Sequence, residues 1–198
     1  MSEVEHKSIW GCEYVNDENL IEKLTDKQQI YNGKIIDLQL WNVTLPNGVP
    51  AGREVVVHRG ASAIVPVDEE GNTYLVRQFR TPVNCVLTEI PAGKLDYAGE
   101  DRLEAAKREL REETGFTAKK WTHLVDLKTT PGFATEIISV YLARDLSRGE
   151  TEFDDDEFID LIKIPLSEAA EMAFSGKLTD AKTITGLLLA QKRVNGEE

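Results

Sequence analysis

An acidic stretch bounded by glycines, GKLDYAGEDRLEAAKRELREETGF from Gly93 to Phe116, constrains this chain more than any other. Its pattern of apolar and charged residues predicts a helix over about Arg102 to Thr114. Glu109, Glu112 and Glu113 stand at i, i+3 and i+4, so they share one face of that helix. Because stacked like charges destabilise an isolated helix, we expect a ligand to offset them. Divalent cations, which prefer carboxylate oxygens, are the expected ligand.

The apolar residues of the same stretch predict how the helix packs. Leu103, Ala106, Leu110 and Thr114 form a stripe beside the carboxylate face, and Gly115 is well placed to end the helix. We therefore expect the helix to bury one edge while its acids lie at the rim of a cleft. Taken alone, the run is equally typical of a solvated acidic helix.

Charge and hydrophobicity exclude some classes of partner. The 198 residues include 35 acids and 23 bases, for a formal charge of -12, which disfavours nucleic acid as a ligand. A small phosphate ligand bridged by metal remains compatible with this charge. The chain shows neither a secretion signal nor an apolar run long enough to cross a membrane, so we expect no membrane partner and a cytoplasmic location.

Short β-rich runs before residue 60 predict a separate N-terminal region, residues 1–59, and a main domain, residues 60–198. Asn32-Gly33 and Asn47-Gly48 are typical turn dipeptides between strands of a small antiparallel sheet. The main domain mixes strands and helices. A helix is predicted at Ser167–Ser175, with Ser167 as N-cap, and another at Asp180–Val194, with an apolar stripe at Ile184, Leu187 and Leu188. The strands expected along the chain are Gln28–Tyr31, Lys34–Leu45, Arg53–His58, Ala61–Val67, Thr73–Gln78, Val86–Ile90, Trp121–Lys128, Ile137–Ala143 and Phe158–Ile164. This order favours an α/β or α+β sandwich over a doubly wound sheet.

The acidic stretch resembles the Nudix box, G-x5-E-x7-R-E-U-x-E-E-x-G-U, in which U is bulky and apolar. Seven residues separate Glu100 from Arg108-Glu109-Leu110, and Glu112-Glu113 and Gly115-Phe116 follow at the matching positions. Six residues instead of five separate Gly93 from Glu100, which places one extra residue in the turn between them. The resemblance extends from about Tyr31 to Gln191.

The resemblance implies a metal-dependent hydrolase on an α/β/α sandwich with a mixed sheet, preceded by the small N-terminal antiparallel sheet. It implies metal ligands at the Ala92 carbonyl and at Glu109, Glu112 and Glu113. Arg108 would hold a loop carboxylate in place. In such chemistry the metal withdraws charge from a diphosphate and lowers the pKa of a water that attacks phosphorus.

Other segments are similar to the ADP-ribose pyrophosphatase branch of that family. These are the runs HRGASAIVPV, LVRQFR and TEIPAGKLD, and Pro131, fifteen residues after Phe116. By this resemblance Arg80 contacts phosphate and Glu89 lies near substrate and metal, although a surface salt bridge and an exposed acid are the plain alternatives.

Two residues of the N-terminal region are further substrate-binding candidates. Trp41 could stack the adenine, and Arg53 could reach a phosphate or the ribose. A tryptophan in a β-rich segment is more often part of a core, so that alternative for Trp41 stays open.

A second acidic cluster, FDDDEF at residues 153–158, precedes a predicted strand and is therefore expected in a loop. Four acids in a loop are usually just solvated. In the resembling branch a loop glutamate acts as general base or extra metal ligand, and Glu157 matches that position. Asp155 is the alternative general base.

Together these features predict magnesium-dependent hydrolysis of ADP-ribose to AMP and ribose 5-phosphate, with manganese as a possible substitute. The branch also implies a homodimer with exchanged N-terminal sheets. Alternatives are the same chemistry on a GDP- or UDP-sugar, and a Nudix-like module that binds its ligand without hydrolysis.

Overall fold

The computed structural model describes residues 19–149 and 159–196. The chain divides into two compact units between Val57 and His58, close to the boundary expected after residue 59. The strands are β1 Lys23–Asn32, β2 Asp37–Thr44, β3 Pro50–Val57, β4 Ala61–Pro66, β5 Asn72–Arg80, β6 Cys85–Glu89, β7 Ala92–Lys94, β8 Phe116–Lys128, β9 Ile137–Arg148 and β10 Asp160–Pro165. The helices are α1 Arg102–Thr114, α2 Leu166–Phe174 and α3 Ala181–Asn195, with a short 3-10 turn at Thr81–Val83.

The first unit contains a three-stranded antiparallel sheet in the order β1-β2-β3. The predicted Asn47-Gly48 turn joins β2 to β3. Gly48 has a φ of +83°, which glycine adopts without strain, and its N–H donates to the Leu45 carbonyl at 2.9 Å. The small antiparallel sheet predicted from the sequence is therefore confirmed, although β1 begins at Lys23, earlier than expected.

The second unit contains two sheets. One is a four-stranded mixed sheet in the order β7-β4-β9-β8, in which β4 and β9 run parallel and the other neighbours antiparallel. The other is antiparallel, in the order β10-β5-β6. Strands β8 and β9 are both longer than their hydrophobic patterns predict, because their pairing continues as far as Phe116 and Arg148.

Strand β4 lies at the centre of the sandwich, and all six of its residues are buried. Ala63 and Val65 belong to a core cluster with Ala169 of α2 and Leu187 of α3. Ile64, which points the opposite way along the strand, packs in a second cluster with residues of α1. Helices therefore cover both faces of β4, and the predicted α/β/α sandwich with a mixed sheet is confirmed.

The predicted bounds of α1 are confirmed. The Asp101 side chain caps the first turn by accepting from the Leu103 and Glu104 N–H groups, both at 2.9 Å. At the other end Gly115 takes a left-handed φ of +71° and donates to the Arg111 carbonyl at 2.8 Å.

Two details of the C-terminal helices were wrongly predicted. Ser167 is not the N-cap of α2, because β10 pairs as far as Pro165 and the helix begins directly after it. The fixed φ of proline suits this abrupt start. In α3, Leu188 is 38% exposed, while Gly186 and Ala190 pack inward in its place. Within residues 19–149 and 159–196, no helix combines the length and apolarity that a membrane span needs.

Candidate active site

The carboxylate face of α1 is more enclosed than the sequence predicts. Glu109 and Glu113 are only 9% and 4% exposed, while Glu112 is half-buried. The expectation that all three acids lie at the rim of a cleft was therefore wrong for two of them. The reason is that β7 packs over this face of the helix and brings its backbone against the carboxylates.

Gly93 makes the closest approach between β7 and α1. A methyl group on its Cα would lie 2.0 Å from Cδ and Oε1 of Glu109, which is much closer than atoms can pack. An alanine at this position would force the end of the Glu109 side chain to move, so the glycine allows the backbone of β7 to approach that carboxylate. The extra residue between Gly93 and Glu100 leaves this contact in place.

Ala92, the neighbouring residue of β7, is tied to the same helix. Its backbone N–H donates to Oε2 of Glu113 at 3.0 Å, and its pairing with Ala63 of β4 holds it in the sheet. This arrangement places the Ala92 backbone beside the carboxylate face, and metal ligation by the Ala92 carbonyl stays a prediction.

Arg108 bridges two of the helix carboxylates. Its Nη1 donates to Glu109 Oε1 at 2.7 Å and to Glu112 Oε2 at 3.1 Å. Partial burial alone would lower the pKa of Arg108, but the negative charge of Glu109 and the hydrogen bond to it raise that pKa above its ordinary value. Arg108 is therefore a permanent cation between these acids.

The same guanidinium also reaches the loop that precedes α1. Its Nη2 donates to the Lys94 carbonyl at 3.3 Å, and ion pairs join it to Asp96 at 3.4 Å and Glu100 at 3.6 Å. Glu100 in turn accepts from the Asp96 N–H at 2.7 Å. Helix, arginine and loop thus form one connected network at the start of the acidic stretch.

The side chains on this face have the chemistry of a divalent-cation site. Carboxylate oxygens are the ligands that hard cations prefer, and Glu109, Glu112 and Glu113 supply them from one helix surface. In the part of the chain that the structure describes, no three acidic, histidine or cysteine side chains are already arranged around a common point. Glu109 and Glu112 bind Arg108 instead, so a cation would share these oxygens with the guanidinium.

Glu89, at the end of β6, is the most deeply buried acid of the site, with 1% exposure. Arg80 binds it with two hydrogen bonds, from Nε to Oε1 at 2.8 Å and from Nη2 to Oε2 at 2.9 Å. The Lys182 ammonium donates to the same Oε2. Burial alone would raise the pKa of Glu89, but Arg80 and Lys182 together lower it to about 2.

The structure brings Arg80 and Glu89 together in a bidentate pair, in which the carboxylate is buried and the arginine is partly exposed. The hydrogen bond to Glu89 raises the pKa of Arg80, and the charges of Glu113 and Asp180 add to the effect. The charge of Glu113 thus couples the Arg80–Glu89 pair to the carboxylate face of α1. In the chain, only Ile90 and Pro91 lie between Glu89 and Ala92, whose backbone contacts that face.

Sequence analysis missed the contribution of α3 to this site. Lys182 and the N-cap residue Asp180 both belong to the Glu89 cluster, where Asp180 Oδ2 lies 3.1 Å from Lys182 Nζ. The available signal was a lysine in the first turn of a predicted helix, where the helix dipole disfavours positive charge.

Trp41 and Arg53 lie in the first unit as directly paired residues of β2 and β3. Trp41 is partly buried, and the Lys27 ammonium lies 4.3 Å from the centre of its ring. Arg53 forms a bidentate ion pair with Glu22, which raises the pKa of Arg53. Lys27, Trp41 and Arg53 therefore form one row across the sheet, and the substrate roles of Trp41 and Arg53 stay predictions.

Glu157 and Asp155, the two candidates for general base, lie outside the described residues. Their assignment stays a prediction from the sequence.

Comparisons with known proteins agree with this geometry. Residues 57–186 match the model of the NUDIX domain. The chain is 46% identical to an ADP-ribose pyrophosphatase of Bacillus subtilis, over 83% of this chain and 90% of that protein. It is 41% identical to a methanol dehydrogenase activator of Bacillus methanolicus, over 86% and 92% of the two chains. A crystal structure described as an ADP compounds hydrolase shares the fold, with a TM-score of 0.77, 23% identity and coverage of 89% of this chain and 95% of that one.

Proposed function

Because the chain belongs to the Nudix family, we propose that it is a metal-dependent pyrophosphatase that hydrolyses ADP-ribose to AMP and ribose 5-phosphate. The observation that carries the proposal is the enclosed carboxylate face of Glu109, Glu112 and Glu113, closed on one side by Gly93. The name and the 46% identity of the Bacillus subtilis relative support the choice of substrate.

The residues of the helix face would hold the divalent cation, with the Ala92 carbonyl as a further ligand. When bound, the cation withdraws charge from the diphosphate and lowers the pKa of a water molecule. Arg108 binds both the helix carboxylates and the preceding loop, and so keeps the negative oxygens on one surface.

The remaining candidate residues would orient the substrate and move a proton. Arg80 would donate to a phosphate oxygen, next to Glu89. Trp41 would stack on the adenine, and Arg53 would reach a phosphate or the ribose. Glu157 accepts the proton of the attacking water, whose oxygen forms a new bond to phosphorus as the bridging P–O bond breaks. One water is consumed for each AMP released.

We further propose magnesium as the physiological metal, with manganese able to replace it, because carboxylate oxygens suit both ions. The proposal also includes a cytoplasmic homodimer that exchanges its N-terminal sheets, with no nucleic acid or membrane partner. Every residue of strand β1 is exposed, including the apolar Leu24 and Ile30, which supports burial of this sheet in an assembly.

Incubation of the purified protein with magnesium and a panel of ADP-ribose, GDP-mannose and UDP-glucose tests the proposed substrate. Release of AMP from ADP-ribose at the highest kcat/KM of the panel is expected, and EDTA should abolish it. Preferential release of GMP or UMP would establish the alternative nucleotide-sugar hydrolase. Ligand binding without any release of a nucleoside monophosphate would establish a non-catalytic binding module.

The relative from Bacillus methanolicus favours activation of a dehydrogenase as a second candidate function. The two functions separate in one assay. Methanol dehydrogenase activity is measured with the wild-type protein and with Glu113→Gln. Activation that survives the loss of hydrolysis would make activation a function of its own, whereas loss of both would make hydrolysis the primary one.

A further inference from the structure

Lys182 occupies a position that is unfavourable for a lysine on two counts. It is the second residue of α3, where the N-terminal end of the helix dipole repels positive charge. Its side chain is also only 11% exposed, although an ammonium group loses hydration when it is buried. A residue that breaks two local rules is expected to have a compensating role.

The first turns of α3 are fastened in a way that fixes this position. Thr183, which is fully buried, accepts from the Ile90 N–H at 2.9 Å and donates to Asp180 Oδ2 at 2.6 Å. One turn further, a methyl group on Gly186 would lie 2.9 Å from Cδ1 of Ile90, so helix and strand end are in close contact. These contacts of α3 with Ile90 place Lys182 beside Glu89, the residue that precedes Ile90.

The two cations on Glu89 differ in their access to solvent. The side chain of Arg80 is 40% exposed, whereas that of Lys182 is 11% exposed and held between Glu89 and Asp180. Arg80 is thus the partner that can turn toward a ligand, and Lys182 is the partner that is enclosed with the carboxylate. A buried carboxylate needs at least one such partner to stay charged.

We propose that Lys182 is a positioning residue that holds the charge of Glu89 while Arg80 turns to the diphosphate of the substrate. This inference rests on the proposed function, since it assumes a diphosphate ligand for Arg80. Without Lys182, Glu89 would depend on Arg80 alone, and the substrate would have to compete with a buried carboxylate for the guanidinium. Lys182 therefore acts on substrate binding, through Arg80, instead of on the chemical step.

The test compares Lys182→Met, Lys182→Arg and a matched control in steady-state kinetics and thermal unfolding. The control is Lys163→Met, which also removes a lysine bridging two acids, Asp68 at 2.9 Å and Glu70 at 3.0 Å. Lys163 pairs with Tyr74 of β5, six residues before Arg80 and so roughly 20 Å away along the strand. The substrate is whichever diphosphate of the panel the wild type cleaves best.

Lys182→Met is expected to raise KM about tenfold while kcat stays within about twofold, which is the signature of lost substrate binding. Lys182→Arg should restore KM to within about threefold of the wild type, and Lys163→Met should leave KM unchanged. A lowered melting temperature with an unchanged KM in Lys182→Met would reduce Lys182 to a structural role and overturn the inference. A Lys182→Arg variant with the same KM as Lys182→Met would overturn it as well.

The same series separates this inference from the proposed function. If ADP-ribose is a poor substrate and another nucleotide sugar is cleaved, the proposed substrate fails while the prediction for Lys182 is tested on that other sugar. If the wild type cleaves no diphosphate at all, both proposals are overturned.

Discussion

Two charge clusters of the second unit, one around Arg108 and one around Glu89, have opposite compositions. Around Arg108, a single guanidinium is shared by four carboxylates. Around Glu89, a single buried carboxylate is shared by two cations, Arg80 and Lys182. Glu89 ends β6 and Arg108 contacts the end of β7, yet only the cluster around Arg108 carries surplus charge, because Asp180 balances the second cation of the Glu89 cluster.

This difference in charge indicates that the two clusters bind different kinds of ligand. The cluster around Arg108 has more negative oxygen than its arginine neutralises, so additional positive charge stabilises it. The cluster around Glu89, which also includes Asp180, has equal numbers of positive and negative groups. Arg80 can therefore bind an anionic ligand while Lys182 stays paired with the Glu89 carboxylate. The acids of the first cluster would hold a divalent cation, and the cations of the second would position the phosphate groups of a substrate.

Glu113→Gln should have the largest effect, because it removes charge from the carboxylate face of α1 that would hold the cation. We expect kcat with magnesium to fall about 10³-fold, while the amide oxygen keeps the hydrogen bond from Ala92 and the fold is retained. Glu104→Gln, at a well-exposed position of the same helix, is the matched control. A Glu113→Gln variant with nearly wild-type turnover would remove the helix face from the mechanism.

Glu157→Gln tests whether a further carboxylate, outside the described residues, works with the Arg108 cluster. A general base contributes about 10²-fold or more, so kcat should fall by at least that factor while KM changes little. Asp155→Asn is the comparison that separates the two candidates. A change in KM alone would reassign Glu157 to substrate contact, and a larger fall in kcat for Asp155→Asn would make Asp155 the base.

Gly93→Ala tests the enclosure of the first cluster without changing any charge. The added methyl would overlap Glu109, so β7 or the carboxylate must shift. We expect a loss of about 1–3 kcal/mol in the free energy of unfolding and a fall in kcat of about tenfold. Gly132→Ala, where a methyl meets open space, controls for the unfolding measurement. Wild-type stability and rate in Gly93→Ala would show that the close contact is unimportant.

The second cluster should be visible in the pH dependence of stability. The pKa of Glu89 is lowered from 4.5 to about 2 in the folded protein, so the ionised form favours folding. Its contribution, about 3 kcal/mol, is present above pH 4.5 and is lost as the pH falls toward 2.

Urea unfolding of the wild type, Glu89→Gln and Glu104→Gln between pH 5 and pH 2 measures that contribution. The free energy of unfolding of Glu89→Gln should fall less steeply with decreasing pH than that of the wild type, whereas Glu104→Gln should follow the wild type. Parallel curves for all three proteins would contradict the charge pairing described for Glu89.

Local and periodic features were predictable from the sequence. The bounds of α1, its glycine C-cap and the turn at Gly48 follow from residues near one another in the chain, and the structure confirms them. The α/β/α class, which the family resemblance implied, is confirmed as well. The family resemblance, which rests on the spacing of the acidic stretch, is also confirmed.

Features that depend on distant residues were not predictable. Lys182 and Thr183 lie 93 residues from their partners Glu89 and Ile90, and no periodicity connects such positions. The burial of Glu109 was missed for the same reason, because it depends on the approach of Gly93 from another element. The start of α2 directly after Pro165 follows from sheet pairing, which outweighed the capping preference of Ser167.

The affinity of the α1 carboxylate face for divalent cations is the property on which the proposed function depends most. A crystal of the protein soaked with manganese and a non-hydrolysable ADP-ribose analogue, measured at the manganese absorption edge, tests it directly. We expect an anomalous peak at about 2.1 Å from oxygens of Glu109, Glu112 or Glu113. A crystal that contains the bound analogue but has no anomalous peak at this helix face would contradict it.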